Sequence, residues 1–467
     1  MHLETNPAAC FARPSRKSIP IYCLDHAQWA ASNFEHPDEQ RDWALANGFK
    51  ANRGQFCTLP DAKGGIACVF AGLGDLKAGE RTNAEIALSL GGLARSLPPK
   101  TFHFENEPGE DGIAALAWAM GAYSFSRYVE PSKQMPRLAV KSKDVPHSAV
   151  EAVYLARDLI NIPANDMGPE ALEKAFRSLA KHHMARASVV KGDALLTKNF
   201  PMVHAVGRAS DEAPRVLDMR WGKTSHPKIT LVGKGVTFDT GGLNIKPGGS
   251  MALMKKDMGG AANVIALAHM IMAAKLPVRL RLIVGAVENA ISGNAFRPGD
   301  VLQSRKGLSV EIGNTDAEGR LVLGDCLALA DEEKPDVLID MATLTGAARV
   351  ALGADLPPFY SHDDMFCDEL ADQANATFDP LWRMPLWPSY RKLLKSKIAD
   401  INHISSGGMA GSITAALFLE RFVENAKTWA HFDIYGWVPA DKPWARTGGE
   451  AQGIRALFGT IKARYDR

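Results

Sequence analysis

The chain has 467 residues, too many for one typical hydrophobic core, so its length favours two domains. Hydrophobic residues make up 46% and charged residues 23%, which is ordinary for a soluble globular enzyme. With 54 basic against 52 acidic residues, the net charge is +2. This balance demands neither a nucleic acid nor an anionic membrane as a partner, and we expect neither.

The cysteines and the N-terminus indicate the compartment. The six cysteines form no Cys-x-x-Cys pair and no regular framework, which predicts reduced, structural thiols. The N-terminus lacks the long apolar segment of a secretory signal. No apolar run reaches the length of about 18 residues that a membrane span needs. We therefore expect a cytoplasmic protein.

Residues 1–135 are predicted to form a small N-terminal α/β domain, because short β-rich runs alternate there with helical runs. The β-rich runs are 19–24, 65–70 and 101–104, and the helical runs are 84–97 and 112–123. Gly72 and Gly74 lack the third glycine of a dinucleotide loop, so we interpret them as a turn. The stretch 130–147 is rich in proline and lysine, and we place a linker at residues 136–150.

Residues 151–467 are predicted to form a larger C-terminal α/β domain. One helix should end near Asn161 and another should start after Pro169. From residue 229 onward, β-rich and helical runs alternate, which predicts a central, mostly parallel sheet flanked by helices on both faces. The β-rich runs are 229–233, 279–287, 336–342 and 430–435, and the helical runs are 260–274, 320–333, 413–425 and 448–463.

The segment Asn314 to Leu323, NTDAEGRLVL, carries two carboxylates two residues apart in front of an apolar helical run. On an extended segment, Asp316 and Glu318 would share one face, because side chains alternate there with period two. They can then hold the same ion at a strand-to-helix junction, where ligands collect in open α/β sheets. An isolated Asp-x-Glu is more often a solvated turn.

A second stretch makes the solvated turn a poorer explanation. Residues 228–260 lead from a β-rich run into a glycine-rich loop that carries Lys234, Asp239, Lys246 and Asp257. Glycines in this density suit backbone bends and close approach to a ligand. If the two loops converge, their four carboxylates repel one another, and a pair of divalent cations resolves that conflict. The oxygen-rich set suits Mn²⁺, Mg²⁺ or Zn²⁺.

Four strings resemble the leucyl aminopeptidase family, the M17 metallo-exopeptidases, in their order and spacing. They are VGKGVTFDTGG, KKDMGGAAN, NTDAEGRLVL and DMATLTGA. The resemblance runs from about residue 150 to the C-terminus and is weak or absent over roughly the first 130 residues. It implies a peptide hydrolase that releases N-terminal, leucine-like residues, assembles as a homohexamer and binds two Mn²⁺ or Zn²⁺ ions per subunit. Relatives use an N-terminal domain of this type mainly in assembly.

The same resemblance implies roles for individual residues. Asp239 and Glu318 would bridge the two metals, and the full ligand set would be Lys234, Asp239, Asp257, Asp316 and Glu318. Lys246 would polarise the scissile carbonyl, and Arg320 would hold a bicarbonate that acts as general base toward a metal-bridging hydroxide or water. Lys234 as a ligand must be a neutral amine. The substrate-binding residues would be Met254, Asn314, Thr343, Leu344 and Gly346.

Structural interpretations of single residues stay open. Lys234 can instead form a salt bridge with one of the acids, Arg320 can pair with Asp316, and Met254 can be core filler. Cys326 lies on an apolar stripe and is interpreted as buried packing. Three histidines outside the metal motifs are also interpreted as structural: His269, His403 and His431.

The sequence departs from the family at two places. TFDTGG replaces the usual TFDSGG, and the usual Asp-Ile-Ala-Gly is replaced by a segment with Tyr435 and Trp437. These two rings stand where a small residue often lines the side-chain pocket, so the preference for leucine stays open. Two other functions also stay open: binuclear hydrolysis of a phosphoester, and DNA binding by the N-terminal domain. We favour the aminopeptidase because every motif ligand is present.

Overall fold

The computed structural model describes residues 3–31, 36–77, 83–109, 112–129 and 134–466. These residues form two α/β units, an N-terminal one around a six-stranded sheet and a larger one around an eight-stranded sheet. The predicted fold class is therefore confirmed. Within the described ranges, every helix is too short or too polar to cross a bilayer.

The N-terminal sheet has the strand order β1-β6-β5-β2-β4-β3, and only β3 runs antiparallel to its neighbour. Its strands are Phe11–Ala12 (β1), Ile19–Asp25 (β2), Phe56–Pro60 (β3), Ile66–Gly74 (β4), Thr101–Phe104 (β5) and Arg137–Ala139 (β6). The helices of this unit are His26–Ala30 (α1), Asp38–Ala46 (α2), Ala84–Ser89 (α3), Leu93–Ser96 (α4) and Ile113–Ala122 (α5).

The single helix predicted at 84–97 is wrong, because a 3₁₀ turn at Leu90–Gly92 divides it into α3 and α4. Glycine is a poor helix former, and here it also permits close packing. A Cβ on Gly91 would lie 2.6 Å from the carbonyl oxygen of Ala117, and one on Gly121 would lie 1.9 Å from the carbonyl oxygen of Gly91. The turn therefore lets α5 pack directly against this backbone.

The segment proposed as a linker contains regular structure. Strand β6 lies within it and pairs with β1 and β5 of the N-terminal sheet. The next helix, α6, begins at His147. Residues 130–133 of the proline- and lysine-rich stretch lie outside the described residues. The domain boundaries at 135 and 151 stay predictions.

The larger sheet has the order β15-β14-β17-β13-β9-β10-β8-β7, and its four central strands, β17, β13, β9 and β10, are parallel. The strands are Arg186–Lys191 (β7), Arg215–Trp221 (β8), Lys228–Asp239 (β9), Arg279–Asn289 (β10), Val337–Ala342 (β13), Pro358–Ser361 (β14), Trp382–Arg383 (β15) and Thr428–Asp433 (β17). Two small sheets accompany it, formed by Val301–Gln303 (β11), Ser309–Glu311 (β12) and Ile401–Asn402 (β16), and by Trp437–Val438 (β18) and Gly448–Gly449 (β19).

Helices cover both faces of this sheet, as predicted. Alternate residues of β9 enter different cores: Leu231 belongs to the core that contains Val264 of α11, and Val232 to the core that contains Val322 of α12. The helices are His147–Asn161 (α6), Pro169–His182 (α7), Ala194–Thr197 (α8), Pro201–Gly207 (α9), Gly248–Met251 (α10), Gly259–Ala273 (α11), Gly319–Asp331 (α12), Gly346–Leu352 (α13), Asp364–Thr377 (α14), Gly411–Glu420 (α15) and Ile454–Tyr465 (α16).

Two predicted helix boundaries are wrong near the C-terminus. The helix predicted at 413–425 ends at Glu420, and the one predicted at 448–463 begins only at Ile454. Gly448 and Gly449 instead pair with Val438 and Trp437 as strand β19. Gly453 has a φ of 76°, a left-handed conformation that starts the helix late.

Candidate active site

The candidate site lies at one edge of the larger sheet, where its parallel strands end. Asp239 is the last residue of β9, Thr343 directly follows β13, and Asp433 is the last residue of β17. Because these strands are parallel, their carboxyl ends meet at the same edge. This is the position at which open α/β sheets bind ligands.

The second acidic loop does not have the predicted local structure. Thr315–Ala317 forms a 3₁₀ turn, and Glu318 has helical dihedrals of −67° and −33° at the start of α12, so the extended segment expected for Asp316 and Glu318 is wrong. The side chain of Asn314 accepts a hydrogen bond of 2.8 Å from the amide of Asp316, which closes this turn. The acids still converge, because one carboxylate oxygen each from Asp239, Asp316 and Glu318 lies within 4.8 Å of the others.

Hydrogen bonds hold the two loops together. Asn289 is the last residue of β10. Its side-chain amide donates to Asp239 Oδ1 at 2.8 Å and to the Thr315 carbonyl at 3.1 Å. Thr315 Oγ1 donates to the carbonyl of Gly241 at 2.6 Å. The sequence analysis missed Asn289. It lies just beyond the predicted strand 279–287, and a polar side chain at the end of a buried strand could have indicated a role in the site. The loops therefore converge as the sequence analysis expected.

Two lysines lie between the acids. Lys234 Nζ is 2.7 Å from Asp257 Oδ2 and 3.0 Å from Glu318 Oε1, and it donates to the Thr343 carbonyl at 2.9 Å. Lys246 Nζ is 2.8 Å from Asp239 Oδ2 and also contacts Asp316. Among the described residues, these four carboxylates form ion pairs with only two ammonium groups, which is an excess of acids, although Lys256 and Arg320 also line the cleft.

The pKa values reflect this excess. Burial, together with neighbouring carboxylates, raises the pKa values of Asp239, Asp316 and Glu318 above their ordinary range. Burial alone would lower the pKa of Lys234, but Asp257 and Glu318 outweigh it and raise that pKa. Glu318 Oε2 is buried, and no described residue offers it a hydrogen bond. The cluster has unused capacity for a cation.

Arg320 lies on the first turn of α12 and lines the same cleft. It does not pair with Asp316; its Nη1 instead donates to the carbonyl of His403 at 2.7 Å. Burial lowers its pKa to about 10, and its Nε finds no hydrogen-bond partner among the described residues. His403 in turn bonds the Asn314 carbonyl through Nε2 at 2.8 Å, so the histidine is satisfied by the structure, as interpreted from the sequence.

A cleft of about 430 Å³ opens over the acids. Four of the five residues predicted to bind substrate line it: Met254, Thr343, Leu344 and Gly346. Asn314 lies beside the cleft with its side chain bonded to the backbone of Asp316, and its role in substrate binding stays a prediction. Tyr435 also lines the cleft, whereas Trp437 lines a neighbouring cavity. Only one of the two unusual rings therefore reaches the cleft.

Sequence reasoning also missed the cations beside Tyr435. Lys256 is 5% exposed, and its Nζ lies 4.7 Å from the centroid of the Tyr435 ring, while the Arg349 guanidinium lies 5.4 Å from it. Burial lowers the pKa of Lys256 to about 8. These contacts are cation–π interactions, which fix the orientation of the ring. Tyr435 is thus held as a rigid wall of the cleft.

Family comparisons identify the chain. A model described as "Cytosol aminopeptidase family, catalytic domain" matches residues 154–458. The chain belongs to the M17 cytosol aminopeptidase family. A model described as the M17 aminopeptidase N-terminal domain matches residues 19–141, so the expectation that the resemblance is weak or absent there is wrong. That domain carries none of the four family strings. Its similarity to other M17 N-terminal domains is spread over residues 19–141 rather than concentrated in short motifs.

Individual M17 relatives match most of the chain. The probable cytosol aminopeptidase of Chlorobium limicola is 33% identical over 461 residues, which cover 90% of this chain and 92% of the relative. The probable cytosol aminopeptidase of Xanthobacter autotrophicus is 39% identical over 427 residues, 84% of each chain. M17 membership makes this chain a peptide hydrolase of a metal-dependent family.

Solved structures of similar proteins have the same fold as this chain. The crystal structure of cytosol aminopeptidase from Coxiella burnetii matches with a TM-score of 0.92 and 42% identity over 98% of this chain and 99% of its own. The bottromycin maturation enzyme BotP, in complex with Mn, matches with a TM-score of 0.84 and 31% identity over 96% and 99%. The fold and the two-domain organisation of the chain are those of this M17 family.

The buried charge of Glu318 gives a stability prediction for the metal-free protein. Because its pKa is raised above the ordinary 4.5, stability is greatest while the group is protonated and falls as pH rises above 4.5. Glu318→Gln should reduce this dependence, leaving the part due to Asp239 and Asp316, and should raise the melting temperature of chelator-treated protein at pH 7.5 by roughly 2 °C. It should also weaken the stabilisation by added Mn²⁺.

The matched control for this melting experiment is Glu332→Gln, at the other end of α12, where the glutamate is exposed and pairs with Arg305. This control should leave both the pH dependence and the response to Mn²⁺ unchanged. A lower melting temperature for metal-free Glu318→Gln would contradict the idea that the charge of Glu318 strains the fold.

Proposed function

We propose that this M17 protein is a binuclear-metal aminopeptidase that releases N-terminal, leucine-like amino acids from peptides with a free α-amine. One observation carries the proposal: four carboxylates converge at the carboxyl edge of the sheet, and among the described residues only two lysines form ion pairs with them. Such a charge excess is unfavourable unless cations bind there. The cleft above the acids then places a substrate next to those cations.

The residues present fit a pair of divalent metals. The donor set is Lys234, Asp239, Asp257, Asp316 and Glu318, and the free Oε2 of Glu318 is an unused ligand atom. Oxygen donors with one amine suit Mn²⁺ or Zn²⁺. When bound, such ions would neutralise the acids, polarise the substrate carbonyl and supply a hydroxide nucleophile at neutral pH. The Mn-bound relative BotP supports Mn²⁺ as one candidate.

The positions of Lys246 and Arg320 support the catalytic roles that we propose for them. Lys246 lines the cleft and touches the acids, so once its partners are neutralised its ammonium can donate to the carbonyl oxygen of the scissile bond. Arg320 lines the same cleft, and its buried Nε has no hydrogen-bond partner among the described residues, so the guanidinium has unused donor capacity that suits a planar anion such as bicarbonate. Bicarbonate bound there would supply a general base.

The walls of the cleft select the side chain of the substrate. Met254, Leu344 and Tyr435 provide apolar surface, and Gly346 leaves space between them. Because the Tyr435 ring is held by Lys256 and Arg349, it should set an upper limit on the size of the accepted side chain. Leucine-like residues fit such a pocket better than large aromatic ones.

The remaining proposals concern the organisation of the whole protein. We place an N-terminal assembly domain at residues 1–135, a linker at 136–150 and the catalytic domain at 151–467. By its family, the protein should assemble as a homohexamer. The six free cysteines are all buried, which suits reduced thiols and a cytoplasmic location.

Aminopeptidase activity is tested with aminoacyl p-nitroanilides and chelator-treated protein, before and after addition of Mn²⁺ or Zn²⁺. Metal should restore release from free-amine substrates, and N-acetylated substrates should not react. Glu318→Ala should reduce kcat/KM by at least about 100-fold, because it removes a ligand of both ions. A folded, metal-loaded wild type without activity toward any free-amine substrate would overturn the proposal and favour another bond, such as a phosphoester.

The role of Tyr435 gives a separate prediction about specificity. Tyr435→Ala should enlarge the pocket and shift the ratio of kcat/KM for phenylalanyl over leucyl substrates upward by at least about tenfold. Trp437→Ala is the matched control, because Trp437 lines a different cavity, and its ratio should stay unchanged. Equal ratios in wild type and Tyr435→Ala would show that Tyr435 does not limit side-chain size.

A further inference from the structure

Three histidines gather on the face of the larger domain where α7 meets α11. His182 is the last residue of α7, His183 follows it, and His269 lies near the end of α11. One ring nitrogen from each lies within 4.8 Å of the others, and His183 Nε2 is 2.9 Å from His269 Nδ1. Their exposure rises from His269, which is 1% exposed, through half-buried His183 to exposed His182.

A carboxylate orients the buried histidine. Glu151 of α6 lies with Oε2 3.0 Å from His269 Nε2, and this contact lowers the pKa of Glu151. An ionised carboxylate only accepts hydrogen bonds, so His269 carries its proton on Nε2 and presents a lone pair on Nδ1 toward the other histidines. This carboxylate–histidine arrangement is the one in which metal-binding histidines are usually held.

The other two imidazoles are available as neutral ligands. Burial, followed by the neighbouring His269, lowers the pKa of His183 to about 4, and burial also lowers the pKa of His182. In this arrangement His183 Nε2 donates to His269 Nδ1, so a bound ion would replace that hydrogen bond and His183 would carry its proton on Nδ1. The cluster also sits at the C-terminal end of α7, where the helix dipole favours a cation.

The spacing of the ligand atoms fits one ion. A Zn²⁺ with bonds of about 2.0–2.1 Å to nitrogen holds tetrahedral ligand atoms about 3.3 Å apart. His183 Nε2 and His269 Nδ1 lie 2.9 Å apart, slightly less than this value, and a ring nitrogen of His182 lies within 4.8 Å of the other two ligand atoms. Exposed His182 has the freedom to make the small adjustment. Three imidazoles leave the fourth position open to solvent.

This cluster is distinct from the cleft. Helix α11 starts at Gly259, two residues after Asp257, and His269 lies ten residues further along it. At 1.5 Å per residue, these ten residues place the histidines about 15 Å from that end of the helix. The cluster therefore cannot share an ion with the acids of the cleft.

We propose that His182, His183 and His269 bind one borderline transition-metal ion, such as Zn²⁺, with Glu151 as the residue that positions His269. The ion joins the end of α7 to α11 and, through Glu151, to α6. Because three imidazoles from two helices meet only in the folded chain, the ion stabilises the fold. The site serves structure rather than peptide hydrolysis.

The test counts Zn²⁺ bound to the full-length protein. Chelator-treated wild type, the His182→Ala/His183→Ala variant and the control His362→Ala are titrated with Zn²⁺ by calorimetry, and metal is counted after gel filtration. His362 is an exposed histidine that also pairs with a carboxylate, Glu420, but lies outside the cluster. The double variant should bind one Zn²⁺ fewer than wild type and retain aminopeptidase activity, while His362→Ala should match wild type. Equal stoichiometry in the double variant and wild type overturns the proposal.

Two further variants test the assignment. Glu318→Ala tests whether the ion is bound outside the cleft, and Glu151→Gln tests whether the histidines bind metal rather than only support the fold. Glu318→Ala should keep the Zn²⁺ that the double variant loses, whatever happens at the acids. Glu151→Gln should keep the ion but weaken its affinity by 10- to 100-fold. Loss of the ion in Glu318→Ala, or an unchanged affinity in Glu151→Gln, would each contradict the assignment. Binding only at millimolar Zn²⁺ would show an adventitious ion and overturn it too.

Discussion

Electrostatic repulsion among four carboxylates governs the architecture of this protein. Asp239, Asp257 and Glu318 are almost fully buried and Asp316 is half-buried, yet within the described part of the chain only Lys234 and Lys246 form ion pairs with them. A soluble fold tolerates such a charge excess only if something compensates it. The parallel strands β9 and β13 and helix α12 bring the acids together, and the stability of the whole domain supports that arrangement. The fold therefore offsets the cost of this site, and by our proposal bound cations would complete it.

Glycines allow the acids and lysines to approach so closely. A Cβ on Gly319 would lie 2.4 Å from Lys234 Cε, so any other residue would push the lysine away from Glu318. Gly241 has a φ of 88° and follows Asp239 by two residues, where the chain turns sharply out of β9. The glycine-rich character of both loops is thus a geometric requirement of the site. The same close packing explains why Asn289 and His403, rather than flexible surface residues, hold the loops in place.

The sequence predicted much of this arrangement, and the parts it missed have physical reasons. The alternation of β-rich and helical runs predicted a parallel sheet covered by helices on both faces. Strands β9 and β13 are buried on both faces, as that arrangement requires. The acids and lysines of the cleft were predicted from the two loop sequences and from their resemblance to the M17 strings. The turn at Asp316 is closed by a hydrogen bond from its backbone amide to the Asn314 side-chain oxygen, and periodicity carries no information about this bond. The orientation of Trp437, the contacts of Lys256 and the meeting of His183 with His269 depend on tertiary packing between segments distant in the sequence.

The most direct test of the central claim is anomalous diffraction at the manganese edge from crystals of the Mn²⁺-loaded protein. The account predicts two manganese peaks in the cleft, both in ligand contact with Asp239 and Glu318, and displacement of the Lys246 ammonium from Asp239. It predicts the loss of these peaks in Glu318→Ala. A cleft without manganese in the wild type, with Lys234 and Lys246 still paired to the acids, would contradict it and would make the cluster a salt-bridge network.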